Sequence, residues 1–292
     1  MHSQNKFNHN TKIVGILGHP IKHSYSPLMH NIAFELSNLN YIYLPFDVPL
    51  NSLRDSLKGI IALGIKGFNV TLPLKEKIIP LLKDISDEAS MIGSVNTVLN
   101  DDGVLRGYNT DVLGIIESLN PYKDYLQGAN VSIIGAGGAA RSVIYALIRN
   151  FKIDKINIIN RTEQIAESLK EYFASKMLFN NIKAYQLVPP DVVKILKDSQ
   201  LIVNTTPIGM NPEIDDSATT IPESFVKDQI VFDVVYTPVK TKFLKLAEQQ
   251  GAKTITGLSM FVEQGARSFE MWTGEKMQTD KVLRALEFYL NN

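Results

Sequence analysis

The chain has 292 residues, enough for two modest domains or one large one, and 45% of them are hydrophobic against 21% charged, the balance of a globular protein with a real core. Its 30 basic and 30 acidic side chains cancel, so no global field points to nucleic acid or a membrane surface. The absence of cysteine excludes disulfides, thiolate metal sites and a cysteine nucleophile. The polar stretch Met1–Asn10 reads as a frayed tail without a signal core, and apolar runs such as Val131–Ile134 are too short to span a bilayer, so a soluble cytoplasmic protein is expected.

In chain order, Lys12–Gly18 predicts a strand and Ser26–Leu39 an amphipathic helix starting at a Ser-Pro signal. A strand at Tyr41–Asp47, a helix over Leu50–Ala62 and a strand at Lys66–Val70 follow. Two short helices lead to a strand at Val95–Leu99 and a turn at Asp101-Asp102-Gly103. This alternation predicts a mainly parallel sheet covered on both faces. A second series runs from Val131–Gly135 (strand) through Gly138–Asn150 (helix), Lys155–Asn160 (strand) and Glu163–Phe173 (helix) to strands at Lys183–Leu187, Leu201–Thr205 and Ile230–Val235. Helices over Met260–Trp272 and Asp280–Leu290 close the chain, and Asn120-Pro121 and Gly128 are the natural linkers.

The second series opens on an apolar strand that runs into Gly135, Ala136, Gly137, Gly138 and Ala139 and then a helix, the context a dinucleotide fingerprint requires. Gly135 makes the tight turn, Gly137 admits a pyrophosphate, and the helix N-terminus offers free N–H groups. Ala140, in the third glycine position, is small enough for close helix–strand packing. A glycine-rich corner without a ligand is the plain alternative, but strand, loop, helix and second strand together favour the nucleotide. At the end of the second strand stand Asn160, Arg161 and Thr162, with no carboxylate before Glu163. An acidic residue there would hold the ribose 2′-OH of NAD; an arginine fork suits the 2′-phosphate of NADP, with Thr162 also able to cap the next helix.

Four polar motifs precede this loop: His23-Ser24-Tyr25-Ser26-Pro27, Asn69-Val70-Thr71-Leu72-Pro73-Leu74-Lys75, Gly93-Ser94-Val95-Asn96-Thr97 and Gly107-Tyr108-Asn109-Thr110-Asp111. Taken singly they read as turns, caps and a solvated lysine. In this order, with Asn204–Met210, Asp233–Pro238 and Gly257–Ala266 following, the set resembles the shikimate dehydrogenase family from about residue 13 to 290.

The resemblance implies two α/β domains. The first, residues 1–111 with 257–292, is a substrate-binding domain with a mainly parallel sheet, to which the C-terminal helices return. The second, 112–256, is a Rossmann-like NADP-binding domain, and the chemistry is expected in a cleft between them. Ser24, Ser26 and Tyr236 would hold the substrate carboxylate, and Thr71, Asn96, Asp111 and Gln264 its ring hydroxyls. Lys75 would transfer the proton, paired with Asp111. Gly135, Ala136, Gly137, Gly138 and Ala139 would wrap the pyrophosphate, Asn160, Arg161 and Thr162 the 2′-phosphate, and Val234, Gly257 and Met260 would lie by the nicotinamide. No metal, nucleic acid or membrane is implied, and the protein would be a monomer or homodimer. Three departures stand out: His19 where Asn or Asp is usual, Ser259 where Gly is common and Gly265 where Ala is common.

Oxidising a secondary alcohol requires a hydride acceptor and a group that takes the hydroxyl proton. Desolvation would lower a lysine's pKa toward that task, while a neighbouring Asp would oppose it, so Asp111 is expected mainly to orient Lys75. Three rivals follow: a quinate/shikimate dehydrogenase, a dehydrogenase for another small acid, and a non-catalytic dinucleotide sensor. The sensor is disfavoured because Lys75 and Asp111 are both present.

Overall fold

The computed structural model describes residues 7–291. The chain divides into two compact units, one from the N-terminal side to Thr110 together with Val262–Tyr289, the other Asp111–Phe261 with the chain end from Leu290. Of the expected tail, residues 1–6 lie outside the described residues. From Asn8 the chain is not frayed: the Asn8 N–H donates to Thr11 Oγ1 at 2.9 Å, and the Thr11 hydroxyl donates to Asn40 Oδ1 at 2.8 Å.

The first unit contains β1 (Lys12–Gly18), α1 (Ser26–Leu36), β2 (Tyr41–Asp47), α2 (Leu53–Ala62), β3 (Gly67–Val70), β4 (Asp84–Ile85), α3 (Asp87–Ile92), β5 (Thr97–Asp101) and β6 (Val104–Tyr108). Its six-stranded sheet has the order β2-β1-β3-β5-β6-β4. β1 pairs in parallel with β2 and β3, and β4 with β6, whereas β5 runs antiparallel to both β3 and β6. The sheet is thus mixed, and the strand over Val104–Tyr108 is absent from the sequence expectation. The predicted turn explains it: Asp102 and Gly103 both take positive φ, 48° and 91°, and fold β5 directly back on β6. Helix α1 ends three residues before the expected Leu39, because Asn38 turns left-handed at φ 51°.

One face of this sheet buries Leu53, Leu57 and Ile60 of α2, spaced for one helical stripe, against Leu17, Phe68 and Val98. On the helix from the chain end, Phe269 stacks on Phe34 of α1 at 5.3 Å, and Trp272 donates its indole N–H to the Val98 carbonyl at 3.2 Å.

The second unit runs through α4 (Asp111–Leu119), α5 (Lys123–Leu126), β7 (Asn130–Ile134), α6 (Gly138–Ala146), β8 (Lys155–Asn160), α7 (Glu163–Met177), β9 (Ile182–Gln186), α8 (Pro189–Lys197), β10 (Leu201–Asn204), β11 (Ile230–Asp233), α9 (Lys242–Gln249) and β12 (Lys253–Ile255). Its sheet, β12-β11-β10-β7-β8-β9, is parallel throughout. Strands β10 and β11 are buried along their whole length, which is why they read as unbroken apolar runs. The strand order reverses between β7 and β10, the switch point at which parallel sheets collect ligands. Asn120, Pro121 and Gly128 lie inside this unit, and the chain enters it at Asp111. Helix α10 (Gly257–Thr273) starts in the second unit and ends in the first, where α11 (Thr279–Asn291) follows over most of its length. Among the described residues no helix is long and apolar enough to cross a membrane.

Candidate active site

In the first unit the polar motifs meet at the C-terminal ends of the central strands. Leaving β1, the His19 N–H donates to the Leu72 carbonyl at 3.0 Å, so the Ser24–Ser26 turn and the Thr71–Lys75 segment start side by side. The Thr71 N–H donates to Leu17 O at 2.9 Å, and the Lys75 carbonyl accepts from the Val95 N–H at 2.9 Å. Asn96 lies between β3 and β6: the Val70 N–H donates to its carbonyl at 2.8 Å, and its own N–H donates to Tyr108 O at 3.0 Å. Its side-chain Nδ2 reaches Gln264 Oε1 at 3.3 Å. Thr71, Lys75, Asn96 and Gln264 are therefore held by one connected frame, with Asn96 and Gln264 buried and Thr71 and Lys75 half-buried.

The Ser24–Ser26 turn differs from a simple helix cap. The N-cap of α1 is Tyr25, Ser26 is the first helical residue, and no side chain makes a cap hydrogen bond. Ser24 Oγ instead accepts from the Ser26 N–H at 3.3 Å. Ser26 is buried and Ser24 half-buried, and of the two hydroxyls only that of Ser24 serves the helix start, through the first N–H of α1. His19, the departure noted above, pairs through Nδ1 with Asp47 Oδ1 at 2.8 Å, joining the ends of β1 and β2.

In the second unit Gly135 follows β7 with φ 110°, and a Cβ there would fall 2.4 Å from Thr205 Oγ1; only glycine fits. At Gly137 the same addition meets nothing within 4 Å, so the backbone is open to a ligand ahead of α6. The first N–H groups of α6 have no intrahelical acceptor, as at any helix start, and Ala140 is fully buried against the sheet. Gly135, Ala136, Gly137, Gly138 and Ala139 thus form a loop whose shape and polarity fit a pyrophosphate. At the end of β8, Asn160 Nδ2 donates to the Thr162 carbonyl at 2.9 Å and closes a turn that presents Arg161 to solvent. Thr162 is the N-cap of α7 by position, yet its hydroxyl makes no cap bond.

The nicotinamide candidates gather nearby. A Cβ on Gly257 would lie 2.4 Å from the Val234 carbonyl, so the start of α10 rests directly on the strand end, and Met260 packs its backbone on Gly114 of α4. Asp111 is buried in the first turn of α4. Tyr236 lies flat on Phe261, ring centroids 4.0 Å apart and planes 14° from parallel. A cavity of about 620 Å³ lined by Phe7, Asn31, Phe34 and Tyr41 is bordered by none of the expected site residues.

Three family models match this chain: "Shikimate dehydrogenase substrate binding domain" over residues 16–98, "Shikimate / quinate 5-dehydrogenase" over 119–208 and "Shikimate 5'-dehydrogenase C-terminal domain" over 257–287. The shikimate dehydrogenase (NADP(+)) of Caldanaerobacter subterraneus subsp. tengcongensis is 42% identical over 277 residues, 95% of this chain and 97% of the relative. The chain belongs to the shikimate dehydrogenase family. Its fold agrees. A shikimate dehydrogenase solved in complex with NADP+ superposes with a TM-score of 0.89 at 40% identity, covering 98% of each chain. The shikimate 5-dehydrogenase of Listeria monocytogenes, solved with shikimate and NAD, gives 0.84 at 36% identity, covering 97% of this chain and 99% of that one.

The sequence reading of this family member missed the residues behind the site. Ser268 lies four positions after Gln264, hence on the same face of α10, a spacing that could have marked it. Asp233 closes an otherwise apolar strand and accepts from Asn204 Nδ2 and the Val235 N–H, both at 3.0 Å. Asn204 in turn accepts from Thr206 Oγ1 at 2.7 Å, and Thr205 Oγ1 donates to the Ile134 carbonyl at 2.8 Å, so the ends of β7, β10 and β11 are fixed as a group.

Proposed function

We propose that this enzyme of the shikimate dehydrogenase family interconverts shikimate and 3-dehydroshikimate with NADP, reducing the ketone in the direction of chorismate and aromatic amino-acid synthesis. The observation that carries the reading is the frame in which Thr71, Lys75, Asn96 and Gln264 are tied together at the strand ends of the first unit. A rigid ring bearing hydroxyls matches that set of short, oriented polar groups, which would lose their partners with an analogue lacking a hydroxyl.

Each residue has a distinct task in this proposal. Ser24, Ser26 and Tyr236 bind the carboxylate through hydroxyls. Thr71, Asn96, Asp111 and Gln264 bind the ring hydroxyls. Lys75 Nζ takes the proton of the hydroxyl being oxidised and returns it to the ketone oxygen in the reverse direction. Asp111 binds a hydroxyl and orients Lys75. Gly135, Ala136, Gly137, Gly138 and Ala139 hold the pyrophosphate, Asn160, Arg161 and Thr162 the 2′-phosphate, and Val234, Gly257 and Met260 border the nicotinamide. When bound, NADP supplies the carbon that accepts or gives the hydride. Arg161 favours NADP over NAD because a guanidinium pairs with a phosphate, and no carboxylate occupies the end of β8 to hold a free ribose. A cytoplasmic location belongs to the same proposal.

The test is a spectrophotometric assay of the purified protein with shikimate and quinate, each against NADP and NAD. The expected result is turnover fastest with shikimate and NADP. Preferred turnover of quinate, or no turnover with any pair, would replace this reading by the quinate enzyme or the nucleotide sensor.

A further inference from the structure

Behind Asn96 and Gln264 lies a buried set of hydroxyls and amides that the proposed reaction does not use. Its hub is Ser268, fully buried on α10 one turn after Gln264. Ser268 Oγ lies 3.0 Å from Asn69 Nδ2, 2.8 Å from Thr97 Oγ1 and 3.2 Å from Thr110 Oγ1, and it donates to the Gln264 carbonyl at 3.2 Å. Asn69 Nδ2 also donates to the Asn96 carbonyl at 3.1 Å, while Asn69 Oδ1 accepts from the Tyr43 hydroxyl at 2.8 Å. The Tyr43 ring is itself clamped, stacked on His30 with centroids 4.4 Å apart and planes 6° from parallel.

The chemistry of this network fixes the direction of each amide. The Thr110 N–H, which can only donate, meets Asn96 Oδ1 at 2.7 Å. Asn96 must therefore turn Nδ2 the other way, where it donates to Thr110 Oγ1 at 3.0 Å and to Gln264 Oε1 at 3.3 Å. Gln264 is then set with Oε1 toward Asn96 and Nε2 on its far side. Likewise the Asn96 carbonyl, which can only accept, takes Asn69 Nδ2 at 3.1 Å, so that Nδ2 faces Thr97 and Ser268 and Oδ1 is left to accept from the Tyr43 hydroxyl. A buried polar network satisfied in only one arrangement specifies geometry more than it adds stability.

We propose that Ser268 and Tyr43 are positioning residues that lock the amides of Asn96 and Gln264 in the orientation in which they receive the ring hydroxyls of shikimate. The proposal rests on the assignment of Asn96 and Gln264 as hydroxyl ligands. It makes Ser268 and Tyr43 determinants of substrate affinity without touching the substrate.

Steady-state kinetics of shikimate oxidation at saturating NADP test it, with Ser268→Ala, Tyr43→Phe, Asn96→Ala, Gln264→Ala and the Ser268→Ala/Gln264→Ala double variant. Loss of one network hydroxyl is expected to raise KM for shikimate about fivefold, the effect of one ordinary hydrogen bond, with KM for NADP unchanged. The double variant is expected to raise KM by less than the product of the two single effects, because Ser268 reaches the Gln264 amide through Thr110 Oγ1 and Asn96 Nδ2, and that part of its effect is gone once the amide is removed. A fully multiplicative double variant overturns the proposal. So do Ser268→Ala and Tyr43→Phe proteins that melt earlier but keep the wild-type KM while Gln264→Ala raises it, since that pattern marks a merely structural network. If Asn96→Ala and Gln264→Ala themselves leave KM unchanged, the assignment of the site has failed and the proposal falls with it. Should Ser268→Ala not fold, Tyr43→Phe, which keeps the clamped ring, carries the test alone.

Discussion

The Thr241 hydroxyl donates to Oδ2 of Asp233 across 2.6 Å, at the end of a strand where none of the aspartate reaches solvent. Burial pushes this carboxyl up to about 6, against the opposing pull of its hydrogen bonds from Thr241, Val235 and Asn204. In the unfolded chain the same group titrates near the ordinary Asp value of about 3.9. The native state therefore holds a proton that the unfolded state has released between those two values. Its stabilising contribution is full below about pH 4 and is lost as pH rises through about 6, to an extent of about 3 kcal/mol.

Asp233→Asn isolates that contribution. An amide oxygen can keep the N–H groups of Val235 and Asn204, and the amide nitrogen can donate to Thr241 Oγ1 with the hydroxyl turned. The variant should gain stability relative to wild type between pH 4 and 7. His30, buried and pushed down to about 3, gives the opposite slope over this range but is common to both proteins and cancels. Urea unfolding at each pH measures the difference, and parallel curves would show that Asp233 is not held as described.

Arg161 offers the second prediction. Its turn is closed by Asn160 rather than by its own guanidinium, so Arg161→Ala should leave the turn intact. In the proposed role the loss removes charge-assisted hydrogen bonds to the 2′-phosphate, and the preference for NADP over NAD should narrow by about tenfold or more. Comparison of kcat/KM for the two cofactors measures it; an unchanged ratio places the 2′-phosphate elsewhere.

How much of this was legible in the sequence differs between the units. In the second, the strands from β7 to β11 could be read, because burial on both faces turns central strands such as β10 and β11 into apolar runs and Gly135 announces the turn by the side chain it lacks, whereas the short edge strand β12, Lys-Thr-Ile, was missed for want of such a run. In the first unit the alternation of strand and helix concealed the β5–β6 hairpin, whose strand Val104–Tyr108 carries Arg106 and Tyr108 and looks polar. The ligand-facing candidates stood out because their motifs have no packing rationale. Ser268 and Tyr43 did not, since a lone polar residue in an amphipathic helix or strand reads as solvent-facing until the fold shows it buried, and Asp233 reads only as the first residue of a motif, with no role of its own. Ser26 misled in the other direction: before Pro27 it reads as a cap, whereas the cap position falls on Tyr25.

Lys75 tests the chemistry directly. Its segment is anchored through its own carbonyl to the Val95 N–H and through the Leu74 N–H to Thr71 O, so the backbone survives loss of the side chain. As the proton-transfer group, Lys75→Ala should lower kcat by roughly 10²–10⁴-fold while KM for shikimate moves far less. A change confined to KM would make Lys75 a binding residue only.

The last prediction concerns the substrate carboxylate, for which Ser26 and Tyr236 give more direct variants than Ser24. Ser24→Ala is compromised, because Ser24 Oγ also accepts from the Ser26 N–H, and its loss disturbs the turn itself. Ser26→Ala is more direct, because Ser26 makes no helix-cap bond with its side chain. Tyr236→Phe removes only the oxygen and keeps the ring that stacks on Phe261. Each hydroxyl that binds the carboxylate should be worth about 1–3 kcal/mol, the range for a hydrogen bond to a charged group, or roughly 5- to 150-fold in KM for shikimate. Melting temperatures should stay close to wild type in both variants. A Ser26→Ala protein that melts earlier with an unchanged KM would return this serine to a structural role. An unchanged KM in both variants would mean that the carboxylate is bound by other groups.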